Sequence, residues 1–479
     1  MEDEVKYGQY KCFWKVGEGG FGNTFLAVKE GDVKKKVYIL KTFIDNDDDD
    51  KQNKNKNNLI NEINMLEDLK KGEKNPIQFI PYLYDSNKDV MTNPYYTIDY
   101  FSNGTLLYYV QNYRFSEKQA KIIFKKIVEG IKFCHNKNIC HLDIKPENII
   151  FDNKFEPIII DFGLSKKIKD KKNEIAQYLG KTGTKQYECP EMWKIGKYTG
   201  VEADIFSLGA LLFNLISSIY GFKRATKNDK YYSLIINDKD GTYKAYWELF
   251  KKAINLTPSD NFKDLYTKLI AYEPKNRPSI EEILDHPWFN EIKNLSIEEE
   301  KKEIELKLKE IYDKIKKCNE TIKYEDNIKE YAHRDGNDEN VFSNPELRAK
   351  KIPNDIINPN RHIIIDGYLD EREFMNNLYY KINDNRDDLA DDLNIKESDE
   401  ALRLEVIFED EVDEEDENHK KCIIDIELFK YDENRYLLDF LKKSGNLSDY
   451  YKNFKKIKDI IQFGEIKNEN KSNNDELSI

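Results

Sequence analysis

The sequence predicts an α+β protein of two lobes, the first rich in strands and the second helical, followed by a charged helical linker and a small α+β domain. Three observations carry that expectation. Residues 10–41 alternate apolar and polar side chains around glycines, as half-buried strands do. Residues 116–135 and 201–220 instead space their apolar side chains at helical intervals. Beyond residue 366 the order reads helix (EREFMNNLYYKIND), three strands (LRLEVIFED, CIIDIELFKYD, RYLLDFLKKSG) and a closing helix (LSDYYKNFKKIKDII). At 479 residues the chain is too long for one ordinary core, and the expected units are 7–290, a linker over 291–335, a domain over 362–464 and a disordered tail over 465–479.

In the first lobe, CFWKV, ending at Val16, and NTFLAVK, which carries Thr24, flank Gly17-Glu-Gly19-Gly20-Phe-Gly22. The glycines therefore fall in a hairpin whose backbone amides can lie close over phosphates. Lys41 closes the apolar strand KKKVYILK and is placed to hold the α- and β-phosphates of a nucleotide. The run DNDDDDKQNKNKNN, Asp45 to Asn58, is too polar to bury and is expected to form a solvated loop. Glu62 follows in LINEINMLEDL, a helical pattern whose apolar Ile63 and Leu66 favour a position beside the cleft, where Glu62 can orient Lys41 by ion pairing.

The second lobe opens on HLDIKPENII, His141 to Ile150, and then IIIDFGLSK, Ile158 to Lys166. Asp143 is placed to orient the proton of an attacking hydroxyl, and Lys145, two residues on, to offset charge on a transferring phosphoryl group. Asn148 and Asp161 offer the hard oxygen ligands that magnesium prefers. Each alone is an ordinary polar residue; in this order and spacing they point to phosphoryl transfer.

Through these motifs, residues from about 10 to 290 resemble a eukaryotic protein kinase catalytic domain. The Lys-Pro-Glu after Ile144 resembles the serine/threonine class, and DFGLSK and DHPWF lean toward the calcium/calmodulin and AMP-activated group. The resemblance implies ATP and Mg2+ as cofactors and Ser/Thr hydroxyls of protein substrates as acceptors. It implies that YYTIDYFSNGTL, Tyr95 to Leu106, is the hinge, with backbone at Asp99 and Phe101 pairing with adenine, Ile98 guarding the pocket behind it, and Thr105 reaching the ribose. It further implies that GTKQYECPE, Gly183 to Glu191, docks the substrate, with Thr184 near Asp143 and Lys145, that Asp204 braces the catalytic loop, and that Arg277 pairs with Glu191. Glu147 would favour a basic residue before the target hydroxyl.

The departures from that pattern are specific. Leu142 stands where most members have an arginine that receives an activation-loop phosphate, and Gly180 stands at the commonest receiving position. Activity is therefore expected not to require phosphorylation there. Thr24 replaces a usual valine and Ile39 a usual alanine in the adenine pocket. The added bulk of Ile39 sustains an alternative reading, a pseudokinase or scaffold binding partners through the lobes and the C-terminal module; intact Lys41, Asp143, Asn148 and Asp161 speak against it.

After residue 290, Ile297, Ile304, Leu308, Ile311, Ile315, Cys318 and Ile322 form a heptad-like seam, readable as a dimer coil or as one helix docked on its own lobe. The later segment DIELFKYDENRYLLDFLKKSGN resembles the kinase-associated C-terminal module of the AMP-activated and related kinases. That implies an intramolecular or regulatory-protein contact through residues 362–464. Lys442, Lys443, Lys452, Lys455, Lys456 and Lys458 raise a weak membrane-surface contact, opposed by the acidic run from Glu409. The net charge of −13 argues against a nucleic-acid partner. Six scattered cysteines without a Cys-x-x-Cys pair and the absence of a basic-then-apolar leader in MEDEVKYGQY suggest a reduced, cytoplasmic setting. The longest apolar stretch, Ile205 to Tyr220, falls short of the roughly 20 residues of a membrane span and reads as a buried helix, so no transmembrane segment is expected.

Overall fold

The computed structural model describes residues 5–318 except 20–21, 34–35, 44–48, 90–92, 170–173, 179–182, 195–196 and 237–241. Beyond these it describes 322–323, 350–351, 362–366, 371–390, 392–398, 402–409, 422–430, 435–444 and 447–463. The expected tail over 465–479, most of the linker after 318, and the acidic run after Glu409 lie outside the described residues. The chain forms two compact units, residues 1–13 with 26–312 and residues 14–25 with 313–474, and each is taken by itself.

The amino-terminal sheet comprises β1 (Lys6–Tyr7), β2 (Tyr10–Gly19), β3 (Gly22–Lys29), β4 (Val37–Thr42), β5 (Asp85–Asn87) and β6 (Tyr95–Asp99), in the order β1-β2-β3-β4-β6-β5. Alternation along β4 buries Tyr38 and Leu40 and leaves Ile39 and Lys41 on the opposite face, with Ile39 directly across from Ile98 on β6.

Against the expectation of a solvated loop over Asp45 to Asn58, of which residues 45–48 lie outside the described residues, the run is helical from Asp49 onward, where helix α1 spans Asp49–Lys70. Its second half buries Leu59, Ile63, Leu66 and Leu69, each at most 2% exposed, on one stripe. Once that stripe fixes the helix, extending it amino-terminally costs little.

Four helices organise the second lobe: α2 (Leu106–Asn112), α3 (Glu117–Asn136), α4 (Pro190–Trp193) and α5 (Gly200–Ser217). A capping box starts α3, where Ser116 accepts from the Gln119 amide and Gln119 returns the bond. Helix α5 is long and apolar enough to cross a membrane by length and composition, but most of it is buried within the lobe, as expected of a core helix. Five shorter or peripheral helices follow: α6 (Tyr232–Ile236), α7 (Thr242–Ile254), α8 (Asp260–Leu269), α9 (Ile280–Leu284) and, beyond Phe289, α10 (Ile297–Cys318).

Up to Tyr312, α10 lies on its own lobe. Ile304, Leu308 and Ile311 are at most 5% exposed, Lys118 and Lys125 of α3 pair with Glu303 and Glu300 at 2.9 and 3.0 Å, and the Tyr312 hydroxyl reaches the Ser102 carbonyl at 3.5 Å. Of the two readings of the seam, this is the docked helix. Leu308→Ala is expected to destabilise the chain by about 2–5 kcal/mol in urea unfolding, whereas Leu306→Ala on the exposed face should stay within roughly 0.5 kcal/mol. Equal effects at the two positions would contradict the docking.

The carboxy-terminal unit is a largely antiparallel sheet backed by helices. After the short strands β7 (Ile139–Cys140), β8 (Ile149–Phe151), β9 (Pro157–Ile159), β10 (Lys166–Lys167), β11 (Gln177–Tyr178) and β12 (Tyr198–Thr199) of the first unit, this unit holds β13 (Ile322–Lys323), β14 (Lys350–Lys351), β15 (His362–Asp366), β16 (Asp392–Glu397), β17 (Arg403–Glu409), β18 (Cys422–Lys430) and β19 (Arg435–Ser444), in the order β13-β15-β19-β18-β17-β16 with β14 beside β18. Helices α11 (Glu371–Asp384) and α13 (Leu447–Phe463) contribute Phe374, Leu378, Phe454 and Ile457 to the core formed with Leu404, Val406, Ile424, Ile426 and Leu438. The three strands and two helices read from sequence are present. Missing from that reading were β15 and the edge strand β16, whose DLNIKE offers only Leu393 and Ile395 to the core side and gains strand character from pairing with β17. The Lys456 ammonium donates to the Leu389 carbonyl at the end of α12 (Arg386–Leu389), so it is not available to a basic surface.

Candidate active site

Lys41 lies on β4 and Glu62 on α1, and the ammonium donates to both Glu62 oxygens at 3.1 and 2.8 Å. It also donates to Asp161 Oδ1 at 3.0 Å. The Tyr96 hydroxyl donates to Glu62 Oε1 at 2.8 Å, a partnership that carries no mark in the sequence. Burial by itself would lower the Lys41 pKa, but Asp161 and Glu62 outweigh it and hold the ammonium charged. Burial would raise the Asp161 carboxyl, but Lys41 beside it carries it down to about 2.

The catalytic loop hangs from Asp204, fully buried on α5. Its Oδ2 accepts from the His141 amide and contacts His135 Nε2, both at 2.8 Å, and its Oδ1 accepts from the Leu142 amide at 2.8 Å. These bonds hold Leu142 at φ 63°, a left-handed conformation that a leucine otherwise avoids. Asp161 has φ 65° as well, and the ring of Phe162 sits 5.0 Å from that of His141. His141 Nε2–H donates to the Ile160 carbonyl at 3.1 Å, tying the two catalytic segments together.

Asp143 Oδ2 receives Lys145 Nζ and Asn148 Nδ2, both at 2.8 Å, while its Oδ1 is buried and has no hydrogen-bond partner among the described residues. Lys145 also donates to Thr184 Oγ1 at 2.9 Å, bringing the segment from Gly183 to Glu191 to the loop. Gly183 has φ 91°, and a Cβ there would stand 2.9 Å from Asp143 Oδ1, so this position needs glycine both for its backbone and for its space. Asn148 Nδ2 donates its second hydrogen to the Asp143 carbonyl at 2.8 Å, which leaves its Oδ1 as the atom open to a cation.

On the hinge side, Asp99 turns its carboxylate toward the Tyr82 amide (2.8 Å) and the Tyr84 hydroxyl (2.7 Å). Its backbone ends β6, and Phe101 follows two residues on, consistent with recognition of a base by main chain. Thr105 Oγ1 is buried, with no hydrogen-bond partner among the described residues. The structure thus brings together Lys41, Glu62, Asp143, Lys145, Asn148 and Asp161. Val16, Gly17 and Gly19 lie on β2 and Gly22 and Thr24 on β3, in the other compact unit; Gly20 lies outside the described residues. His135 was also missed in the sequence, since its partner is 69 residues away.

The two donors Asn148 and Asp161 suit a magnesium ion that brings nucleotide phosphates as its other ligands. Among the described residues no group of three or more His, Cys, Asp or Glu side chains is arranged to hold a metal, so a site built from protein alone is not offered.

Near the expected phosphate switch, Leu142 is 3% exposed, and Gly180 and Thr182 lie outside the described residues. Tyr178 is pinned without phosphate: its hydroxyl donates to the Lys167 carbonyl, Lys166 Nζ lies 4.5 Å from its ring centroid, and Gln177–Tyr178 pairs with Tyr198–Thr199. The far end of the segment is fixed by Arg277, whose two terminal nitrogens donate to the Glu191 oxygens at 2.6 and 2.7 Å.

The family described as "protein kinase domain" matches residues 10–289. A 207-residue stretch is 32% identical to the probable serine/threonine-protein kinase HSL1 of Saccharomyces cerevisiae, covering 42% of this chain and 12% of that protein. The carbon catabolite-derepressing protein kinase of Secale cereale is 30% identical over 40% of this chain and 35% of its own length. Serine/threonine-protein kinase pim-2 of Danio rerio is 28% identical over 61% of this chain and 89% of its own length. The chain thus spans about a tenth and about a third of the first two relatives.

Proposed function

Since the chain belongs to the protein kinase family, with relatives of the serine/threonine class, we propose that it transfers the γ-phosphate of ATP, with Mg2+, to Ser or Thr hydroxyls of protein substrates. The observation that carries this is the clamp on Asp143: Lys145 and Asn148 occupy Oδ2, and the buried Oδ1, without a hydrogen-bond partner among the described residues, is left to accept a substrate hydroxyl.

Asp143 Oδ1 orients the attacking oxygen and takes up its proton as that oxygen's bond to the γ-phosphorus forms and the phosphorus–oxygen bond to the departing ADP breaks. Lys145, kept charged by Asp143 and Glu147 despite burial, offsets charge on the transferring group. Lys41, fixed by Glu62, would position the α- and β-phosphates, and Asn148 and Asp161 would hold the magnesium. Asp99 and Phe101 offer main-chain atoms to adenine and Thr105 its hydroxyl to ribose. Bound Mg·ATP supplies the electrophilic phosphorus and neutralises its oxygens.

Membership of the calcium/calmodulin and AMP-activated group, and regulation by the carboxy-terminal unit, are supported by DFGLSK, DHPWF and the module-like sequence after residue 366. A basic residue before the target hydroxyl is supported by Glu147 Oε2, Tyr187 OH and Asn214 Oδ1, all buried and without a hydrogen-bond partner among the described residues.

The test is transfer of labelled γ-phosphate to a generic basic protein by the full chain, first stripped of phosphate with a phosphatase that is then removed. Transfer that needs magnesium and survives stripping is expected, because Leu142 and the pinned Tyr178 need no phosphate to hold the segment. Loss on stripping would refute phosphate independence. No transfer before or after stripping, with no ATP-induced thermal shift, would refute the kinase reading.

A further inference from the structure

At the end of the substrate-docking segment two lysines share one aromatic ring. Lys194, directly after α4, places its ammonium 4.0 Å from the Tyr272 centroid, and Lys227, in the loop after α5, places its own at 5.0 Å from the same centroid. Beside them the Arg224 guanidinium lies 5.4 Å from the Trp193 ring. Both lysines are exposed. Among the described residues no carboxylate pairs with either ammonium. The nearest candidate in sequence, Asp229, is committed elsewhere: its two oxygens accept from the backbone amides of Lys223, Arg224, Tyr231 and Tyr232 at 2.9–3.1 Å.

With ammoniums 4.0 and 5.0 Å from one centroid, the two like charges are at most about 9 Å apart, within the roughly 8–10 Å over which charges act at moderate salt, so they repel. The ring face offsets part of that repulsion, and the rest is relieved by an anion that meets both charges. Tyr272 and Trp193 hold the cations in place, which lowers the ordering cost of binding. A carboxylate-bearing peptide fits such a surface better than a membrane, because the cations cluster around two rings instead of spreading over a broad face.

We propose that Lys194, Lys227 and Arg224, set over Tyr272 and Trp193, form a docking surface for an acidic segment of a protein partner. Its position next to α4 makes a substrate the natural bearer of that segment, a step that rests on the kinase reading; the binding itself does not.

The test uses the full chain and a fluorescein-labelled octapeptide of alternating Glu and Asp, with a Ser-Gly octapeptide as control. Wild type should prefer the acidic peptide, and K194E/K227E should weaken its binding about tenfold or more, as should raised salt. Y272L, which removes the platform and keeps both charges, should lose a smaller part. Unchanged melting temperatures would confirm that each variant is folded. With dephosphorylated casein as substrate, K194E/K227E should raise KM and leave kcat and the KM for ATP unchanged. Equal binding of the acidic peptide by wild type and K194E/K227E, or equal binding of both peptides by wild type, would overturn the proposal. Acidic-peptide binding that is lost in K194E/K227E, with no phosphoryl transfer by any form, would uphold the docking surface and sink only the kinase reading.

Discussion

Replacing Asp143 with asparagine is expected to lower kcat by about 10²- to 10⁴-fold while leaving the ATP-induced thermal shift intact. The asparagine is the same size, so the loop hanging from Asp204 keeps its shape. What is lost is an acceptor that can carry away a proton, together with the charge that Lys145 meets at 2.8 Å. Single-turnover transfer and thermal melting with and without Mg·ATP separate the two outcomes. A variant that transfers phosphate at the wild-type rate would show that Asp143 is only a structural member of the loop.

Arg277→Met is expected to destabilise the chain by about 3–5 kcal/mol, because it strands the Glu191 carboxylate away from water. The guanidinium side chain is fully buried, and besides its two bonds to Glu191 it donates to the carbonyls of Ala271 (3.0 Å) and Glu202 (2.8 Å). The double variant Glu191→Gln/Arg277→Met should recover part of the loss, since no charge is then left unpaired. Urea unfolding checks both; a loss below about 1 kcal/mol for the single variant would mean that water reaches Glu191 once the arginine is gone.

The catalytic residues were legible in the sequence because phosphoryl transfer dictates residue types at short, fixed spacings. Asp143, Lys145 and Asn148 lie within one loop, and their mutual geometry is largely local. Lys41, Glu62 and Asp161 meet from three distant elements; the apolar neighbours of Glu62 were enough to pair it with Lys41, but nothing in the sequence joined Asp161 to that pair. The contributions of Tyr96 and His135 were not legible, since a tyrosine or a histidine in an apolar strand or helix carries no mark of the carboxylate it will meet.

The polar half of α1 misled for a different reason. Composition reports what a segment can bury and not what a neighbouring apolar stripe will propagate into it. The edge strand β16 was hidden in the same way, its strand character coming from β17 and not from its own residues.

The recognised pattern ends at residue 289, but the chain's first unit closes only at Tyr312. The difference is one stretch of helix, docked antiparallel to α3 by Glu303 on Lys118 and Glu300 on Lys125. What evolution repeats from protein to protein and what opens and closes here as one cooperative body are therefore different objects. In hydrogen-exchange terms, amides around Leu308 belong to the slow class that is released only when α3 itself opens. A fragment cut at the edge of the shared pattern would leave the lysine row of α3 bare and the apolar strip beneath α10 wet, and its activity would report on an injured lobe as much as on the loss of a regulator.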